Sequence, residues 1–380
     1  MLLKLLVNDM ENIRTNPLLK TLVQKKLLGR IFLLLLLFLV ILKLAQAVLT
    51  NPTLFIQQVI NGLQLGFVYA LIALGYTMVY GIVRLINFAH GDVFMVGAFV
   101  SYFAISRYNL HQWLSRLNPN IPAAVSLIVG TVSVVLVSMI ICALLSFTIE
   151  RVAYKPLRNA PRISALITAI GISFFLEYFG ALNFVFTPNF ITNKRPFEVV
   201  TWYLNNGSLN QLPKGVQLPD NSIIFSNIFI IIVISSLLLL FLLQFIVRRT
   251  KIGKAMRAVS FDKSTARLMG INVDAVISIT FMIGAALAGA AGMLYAVAFP
   301  SVYFAMGVTP GLKAFVAAVL GGIGSIPGAF LGALIMGQAE TLAAAYISTP
   351  MRDAIAFSVL ILVLLVRPKG IMGELTREKV

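Results

Sequence analysis

An all-α, polytopic membrane bundle of about eight to ten spans, short and broken helices included, is the fold this sequence predicts. Composition is the first ground. Of the 380 residues, 59% are hydrophobic and 11% are charged, against about 25% charged in a soluble domain. The second ground is the recurrence of apolar runs near the length of about 20 residues that a helix needs to cross a bilayer. The third is the distribution of positive charge. Taken through alternating spans, 22 of the 30 Lys/Arg fall on one side, which marks that side as cytoplasmic. The net charge of +17 is then an orientation signal and not a polyphosphate-binding face. No nucleic-acid partner is expected.

The elements follow in order. Residues 1–53 form a basic extension plus a first apolar segment. Lys4, Arg14, Lys20, Lys25, Lys26 and Arg30 precede the apolar run Ile31–Leu42, and Ala45-Gln46-Ala47 follows. This has the outline of a signal peptide. The basic region is long for one, and Lys43 can snorkel to an interface, so a retained helix over Ile31–Leu49 is the preferred reading. Residues 54–380 form the main transmembrane domain. Its opening helix carries Gln57, Gln58, Asn61 and Gln64 at helical spacing, with Gly62 and Gly66 as a small-xxx-small face. Such a helix belongs inside a bundle. Next come Asn87, His90 and Asp92, three polar groups between apolar runs. They are either a polar break lining a pathway or a turn with Asp92 at a helix start, where the dipole favours an acid.

Spans are expected over Phe94–Ser106, Ala123–Ile149 and Ile163–Phe186, the last carrying Glu177 well inside its apolar run. Glu340 is a third intramembrane acid. Each of these acids is either functional or structurally paired. Cys142, the single cysteine, excludes an internal disulfide and reads as a small buried hydrophobe. Thr187–Ser222 is the longest outside segment, too short for a separate folded domain. Ile223–Val247 is nearly all Ile, Leu, Val and Phe, and faces lipid. In Gly311–Tyr346, glycines at 321, 322, 324 and 328 and Pro327 break any continuous helix into two segments. Asp353–Val366 is the last span.

The loop 248–274 organises the chain. It holds seven Lys/Arg and two acids, Asp262 and Asp274. It is also patterned: Ala255, Met256, Val259, Ala266, Leu268 and Met269 recur at spacings of short amphipathic turns. Gly253 and Gly270 are read as helix breaks at its two ends. An apolar face on a cytoplasmic loop is a docking surface for a soluble partner; the plainer reading is a solvated basic loop that only sets topology. Catalysis has little to stand on. There is no G-x-x-x-x-G-K-[ST] and no Cys/His or H-E-x-x-H arrangement, and the two histidines, His90 and His111, lie far apart. No metal site, cofactor or enzymatic activity is expected.

Five separated motifs in order resemble the permease subunits of the branched-chain and neutral amino-acid ABC importers. They are NGLQLGFVYALIALGYTMVYGIVRLINFAHGD from Asn61, ITAIGISFFLEY from Ile167, GKAMRAVSFDKSTARLMGIN from Gly253, GGIGSIPGAFLGA from Gly321 and RPKGIMG from Arg367. The resemblance covers about Leu54–Gly373 and implies the following. The bundle forms the translocation pathway. Two separate ATP-binding subunits supply the nucleotide site that this chain lacks, a second homologous permease completes the pathway, and a periplasmic binding protein delivers substrate. The chain sits in a bacterial inner membrane; the charge distribution adds cytoplasmic termini. The loop is the ATPase-coupling element, with Gly253, Arg257, Asp262, Ala266, Leu268 and Gly270 as its residues. Asn61, Gln64, Asn87, His90, Asp92 and Glu177 are the translocation-path candidates from their polarity within apolar runs; the resemblance suggests the helices they sit on and not that they touch substrate. Two alternatives remain: the same machine carrying urea or short amides, and a stand-alone proton-coupled carrier relaying protons through Asp92, Glu177 or Glu340.

Overall fold

The computed structural model describes residues 38–39 and 42–373, except 159, 206, 214, 217–218, 220 and 368. The basic extension and most of the first apolar segment lie outside the described residues. Residues 42–50 are helical. Contacts divide the chain into a unit ending at Ile56 and a larger unit, Gln57–Val380.

Helix α1, Pro52–Val83, is 32 residues long. Asn51 caps it by accepting from the Leu54 amide at 2.9 Å, and proline stands at the first position, where no amide is needed. Helix α2, His90–Tyr102, continues through a π-turn, Phe103–Arg107. The chain then bends by 57° into Leu110–Leu117, whose second part is α3, Trp113–Leu117. Helix α4, Ala123–Ile149, ends in a second π-turn, Glu150–Tyr154. Helix α5 is Arg162–Gly180 and helix α6 is Asn227–Arg249. Two short helices, α7 (Lys251–Phe261) and α8 (Lys263–Leu268), form the basic loop. Helix α9 is Val273–Ala298. Helices α10 (Val308–Gly321) and α11 (Ile326–Tyr346) are two segments joined by a turn in which Gly322 and Gly324 hold φ of 107° and 96°. Only glycine adopts such angles without strain. Helix α12 is Arg352–Val366.

The protein is a polytopic helical bundle. Among the described residues, six helices are long and apolar enough to cross a membrane, or seven if the bent pair is one span. The short α10 and the 15-residue α12 are further helices of the bundle, and the expected first span lies partly outside the described residues.

Burial sorts the helices. In α1 and α9, 83% and 78% of the apolar window is covered by protein; in α4, α5 and α6 the figures are 28%, 22% and 28%. The first pair is the interior of the chain and the second group is largely uncovered by it, as the amide-rich pattern of α1 and the aliphatic run of α6 predict. At the centre, α9 packs on α2 and α4. A Cβ on Gly97 of α2 would lie 2.7 Å from the Gly289 Cα of α9, so the two backbones touch. Cys142 of α4 is fully buried and its thiol donates to the Val93 carbonyl at 3.4 Å.

The segment between α5 and α6 departs from the helical expectation. It contains a three-stranded antiparallel sheet of β2 (Thr201–Asn205), β3 (Ser208–Gln211) and β4 (Ile223–Ser226), in the order β3-β2-β4. Trp202 stands opposite Gln211 and Phe225. Two-residue strands β1 (Ile191–Thr192) and β5 (Ser301–Val302) pair separately. The run starting at Ile223 is therefore strand first and helix only from Asn227. Its alternating contacts with β2 override a composition that suits either state.

Candidate functional site

Two regions of the larger unit carry most of the chemistry, one at each end of α1. The first is the basic loop. Thr250 ends α6 and caps α7, its hydroxyl accepting from the Gly253 amide at 3.1 Å. Asp262 ends α7 and caps α8. Its carboxylate accepts from the Ser264 and Thr265 amides at 2.8 and 3.1 Å and from both hydroxyls at 2.6 and 2.9 Å. The Ser264 hydroxyl, with the Thr265 amide and hydroxyl behind it, holds the carboxyl down to a pKa of about 2. The folded value lies below the usual carboxylate range, so the cap is fully ionised above about pH 4 and weakens only as pH falls toward 2. Gly270, at φ 79°, closes α8, and Asn272 caps α9 by accepting from Ala275 at 3.0 Å.

Two readings of this loop need correction. Gly253 does not break a helix; it lies in the first turn of α7. It is needed because a Cβ there would strike the Ile246 and Val247 carbonyls at the end of α6. Arg257 donates to the same Val247 carbonyl. The apolar face is also covered from within: Met256, Val259 and Ala266 are buried in the chain's own core. What stays uncovered is the tip, where Phe261, Leu268 and Met269 are 86%, 88% and 78% exposed. Phe261 was legible only as one more apolar residue, since its exposure depends on how α7 folds back on α6.

Behind this tip an ion network ties the 150–158 segment to α9. Arg158 bridges Glu150 and Asp274, Lys155 reaches Asp274 at 3.3 Å, and Glu150, fully buried, also accepts the Ser278 hydroxyl at 2.6 Å. A cavity of about 610 Å³ opens beside it, lined in part by Arg84, Glu150, Arg158, Asp262, Lys263 and Asp274.

The second region lies near the start of α1. Gln58, Asn61 and Gln64 line a cavity of about 520 Å³ with Glu340, Arg352 and Phe299. Glu340 sits in a buried charge network. Lys313, 1% exposed, lies 2.6 Å from Glu340 and 2.7 Å from Asp353; Tyr69 donates to the other Glu340 oxygen at 3.0 Å. Arg352 lies 3.7 Å from Glu340 and 3.5 Å from Asp353. Lys313 and Arg352 were missed in the sequence. The available signal was a lone cation in each of two apolar runs, which inside a membrane marks a pair or a pathway.

The remaining pathway candidates are packed between helices and line neither cavity. Asp92 lies in the first turn of α2, as the turn reading has it, but it is buried. Asn87 accepts the Tyr154 hydroxyl at 2.8 Å. His90 sits edge-on to Tyr76 with ring centroids 4.7 Å apart. Asp92 accepts from the Ser173 hydroxyl of α5, the helix that also carries the buried Glu177.

The architecture is thus a buried bundle with a patterned basic loop at one end and a charge-lined cavity at the other. Comparison with known proteins agrees with it. The family model for the branched-chain amino acid transport system permease component matches residues 58–364. The high-affinity branched-chain amino acid transport permease LivH of Salmonella typhimurium is 42% identical over 330 residues, covering 86% of this chain and 98% of its own. LivH of Escherichia coli K12 is 42% identical and BraD of Pseudomonas aeruginosa 39% identical, each over 326 residues with the same coverage. Among solved structures there is no match. The chain belongs to the family of branched-chain amino acid transport system permease components.

Proposed function

We propose that this chain is a membrane-spanning permease subunit of an ATP-driven importer for branched-chain or neutral amino acids, and that it has no nucleotide site of its own. Its partners are two ATP-binding subunits, a second homologous permease and a periplasmic binding protein. It resides in a bacterial inner membrane with both termini cytoplasmic. The observation that carries this reading is the loop tip. Phe261, Leu268 and Met269 stand exposed on a capped pair of helices beside basic residues. Three large apolar side chains exposed at the ends of two consecutive short helices are a contact awaiting a partner. The relatives' printed role as transport permeases supports an ATPase as that partner.

The mechanism follows from how the tip is attached. Arg257 and Gly253 fasten α7 to the end of α6, and Lys263 donates to the Val83 carbonyl at the end of α1 at 3.2 Å. Val259 and Ala266 anchor both short helices in the core. A push on the tip therefore reaches the lipid-facing α6 and the interior α1 together, and rigid motion of these helices changes access along the bundle.

Purification from the native membrane in mild detergent should bring a P-loop ATPase and a second permease with this chain. Replacing Leu268 and Met269 together by Glu should release the ATPase and leave the second permease bound, because exposed positions tolerate charge without unfolding. Recovery of the chain alone, with uptake that survives without ATP and collapses with the proton gradient, would overturn the reading in favour of a secondary carrier.

A further inference from the structure

We infer that the cavity between α1, α11 and α12 is a subsite for the charged end of a zwitterionic, aliphatic amino acid during its passage. This rests on the proposed import function and names where its substrate is held.

The argument starts from charge balance. Lys313, Arg352, Glu340 and Asp353 carry two positive and two negative charges, so the network beside the cavity is neutral. A ligand of net charge would bring a charge for which this network holds no spare counter-charge, beside the buried Lys313 and Glu340. A ligand with one charge of each sign leaves the balance intact.

The two cations are held differently. Lys313 is locked by ion pairs at 2.6 and 2.7 Å and is not exposed to the cavity. Arg352 makes only the longer approaches of 3.7 and 3.5 Å, its side chain is half exposed, and it lines the cavity. It is the cation able to turn toward a ligand, and its planar fork matches a carboxylate in bidentate fashion. For the ammonium group, Glu340 faces the same cavity, and a carboxylate has lone pairs beyond the two taken by Lys313 and Tyr69. The amides of Gln58, Asn61 and Gln64, all on one face of α1, offer both donors and acceptors.

The rest of the lining suits an aliphatic side chain. Leu65, Phe299, Ala344 and Ala345 supply apolar lining alongside the charges. The volume of about 520 Å³ falls among small-molecule sites, which span roughly 300–1,000 Å³. The position fits an entry site. At 1.5 Å rise per residue, Asn61 lies about 33 Å along α1 from Val83, where Lys263 of the coupling loop is attached.

The test uses the complete importer in proteoliposomes, reading uptake of radiolabelled leucine and ATP hydrolysis stimulated by the leucine-loaded binding protein. Arg352→Gln should lower uptake about tenfold or more while stimulated hydrolysis stays within about twofold of the unmodified complex. Arg352→Lys, which keeps the charge, should recover part of the uptake. Asn61→Leu, which leaves the ion network untouched, should lower uptake about threefold or more. Unchanged uptake in both Arg352→Gln and Asn61→Leu overturns the subsite while leaving the import function standing. Uptake and hydrolysis falling in parallel overturns it too, since Arg352 would then serve structure or coupling. An unmodified complex that takes up no leucine on ATP overturns the import function, and the subsite with it.

Discussion

Lys313 shows what a single residue does in this protein. It is a lysine with almost no exposure, held between Glu340 of α11 and Asp353 of α12 while belonging to α10. Removing one member of a buried ion network costs about 3–5 kcal/mol, because the partner's charge stays behind uncompensated. Lys313→Ala should therefore lower the stability of the detergent-solubilised protein by about that amount, read from thermal or denaturant unfolding. A loss under about 1 kcal/mol would mean that the network is solvated and weak. The acid Glu340 stood out in the sequence as an intramembrane charge, but its partners did not. The cations Lys313 and Arg352 lie 27 and 12 positions away on other helices, and no local spacing joins them. Asp92 repeats the lesson: an acid conspicuous alone, whose hydrogen-bond donor, Ser173, is brought to it only when α2 and α5 are placed.

At the scale of elements, contact is set by glycine and by capping. The α2–α9 contact requires that Gly97 and Gly292 both lack a side chain. Gly97→Val should drive the helices apart and abolish folded, membrane-inserted protein in a fluorescence-detected size-exclusion profile. Gly171→Ala on lipid-facing α5, where an added methyl meets nothing within 4 Å, should leave the profile unchanged. Equal behaviour of the two variants would show that close helix approach is not what holds the bundle. Capping made much of the coupling loop readable. Asp262 before Ser-Thr and Gly270 after the last apolar pair are local signals, and both stand at helix ends. Gly253 gave the same kind of signal and meant something else, because its reason is the backbone of α6 and not the course of α7.

At the scale of the molecule, the charge distribution orients the chain. In the proposed topology, the positive-inside pattern assigns α7 and α8 to the cytoplasm and the β2–β4 sheet to the outside. The protein is convenient for testing this, since its one cysteine is buried. Phe261→Cys should react with a membrane-impermeant thiol reagent only when the cytoplasmic face is open, and Leu209→Cys only from the opposite face; both positions are exposed. Labelling of both from one side would invert the assigned topology or add a span between them. Membrane class, the interior place of α1, the uncovered surface of α6, the broken pair α10–α11 and the short helical turns of the basic loop were all legible in the chain. Each is a sum over composition or a pattern within one segment, and a bilayer demands those patterns locally, since every span must satisfy its own backbone and face lipid or protein. Which acids find cations, which face of α7 and α8 is already covered, the strand at Ile223 and the cavity shared by Asn61, Glu340 and Arg352 came only with the assembled bundle. Those depend on burial and partnership between residues far apart in the chain, and burial is a property of the neighbours a residue acquires, not of the residue.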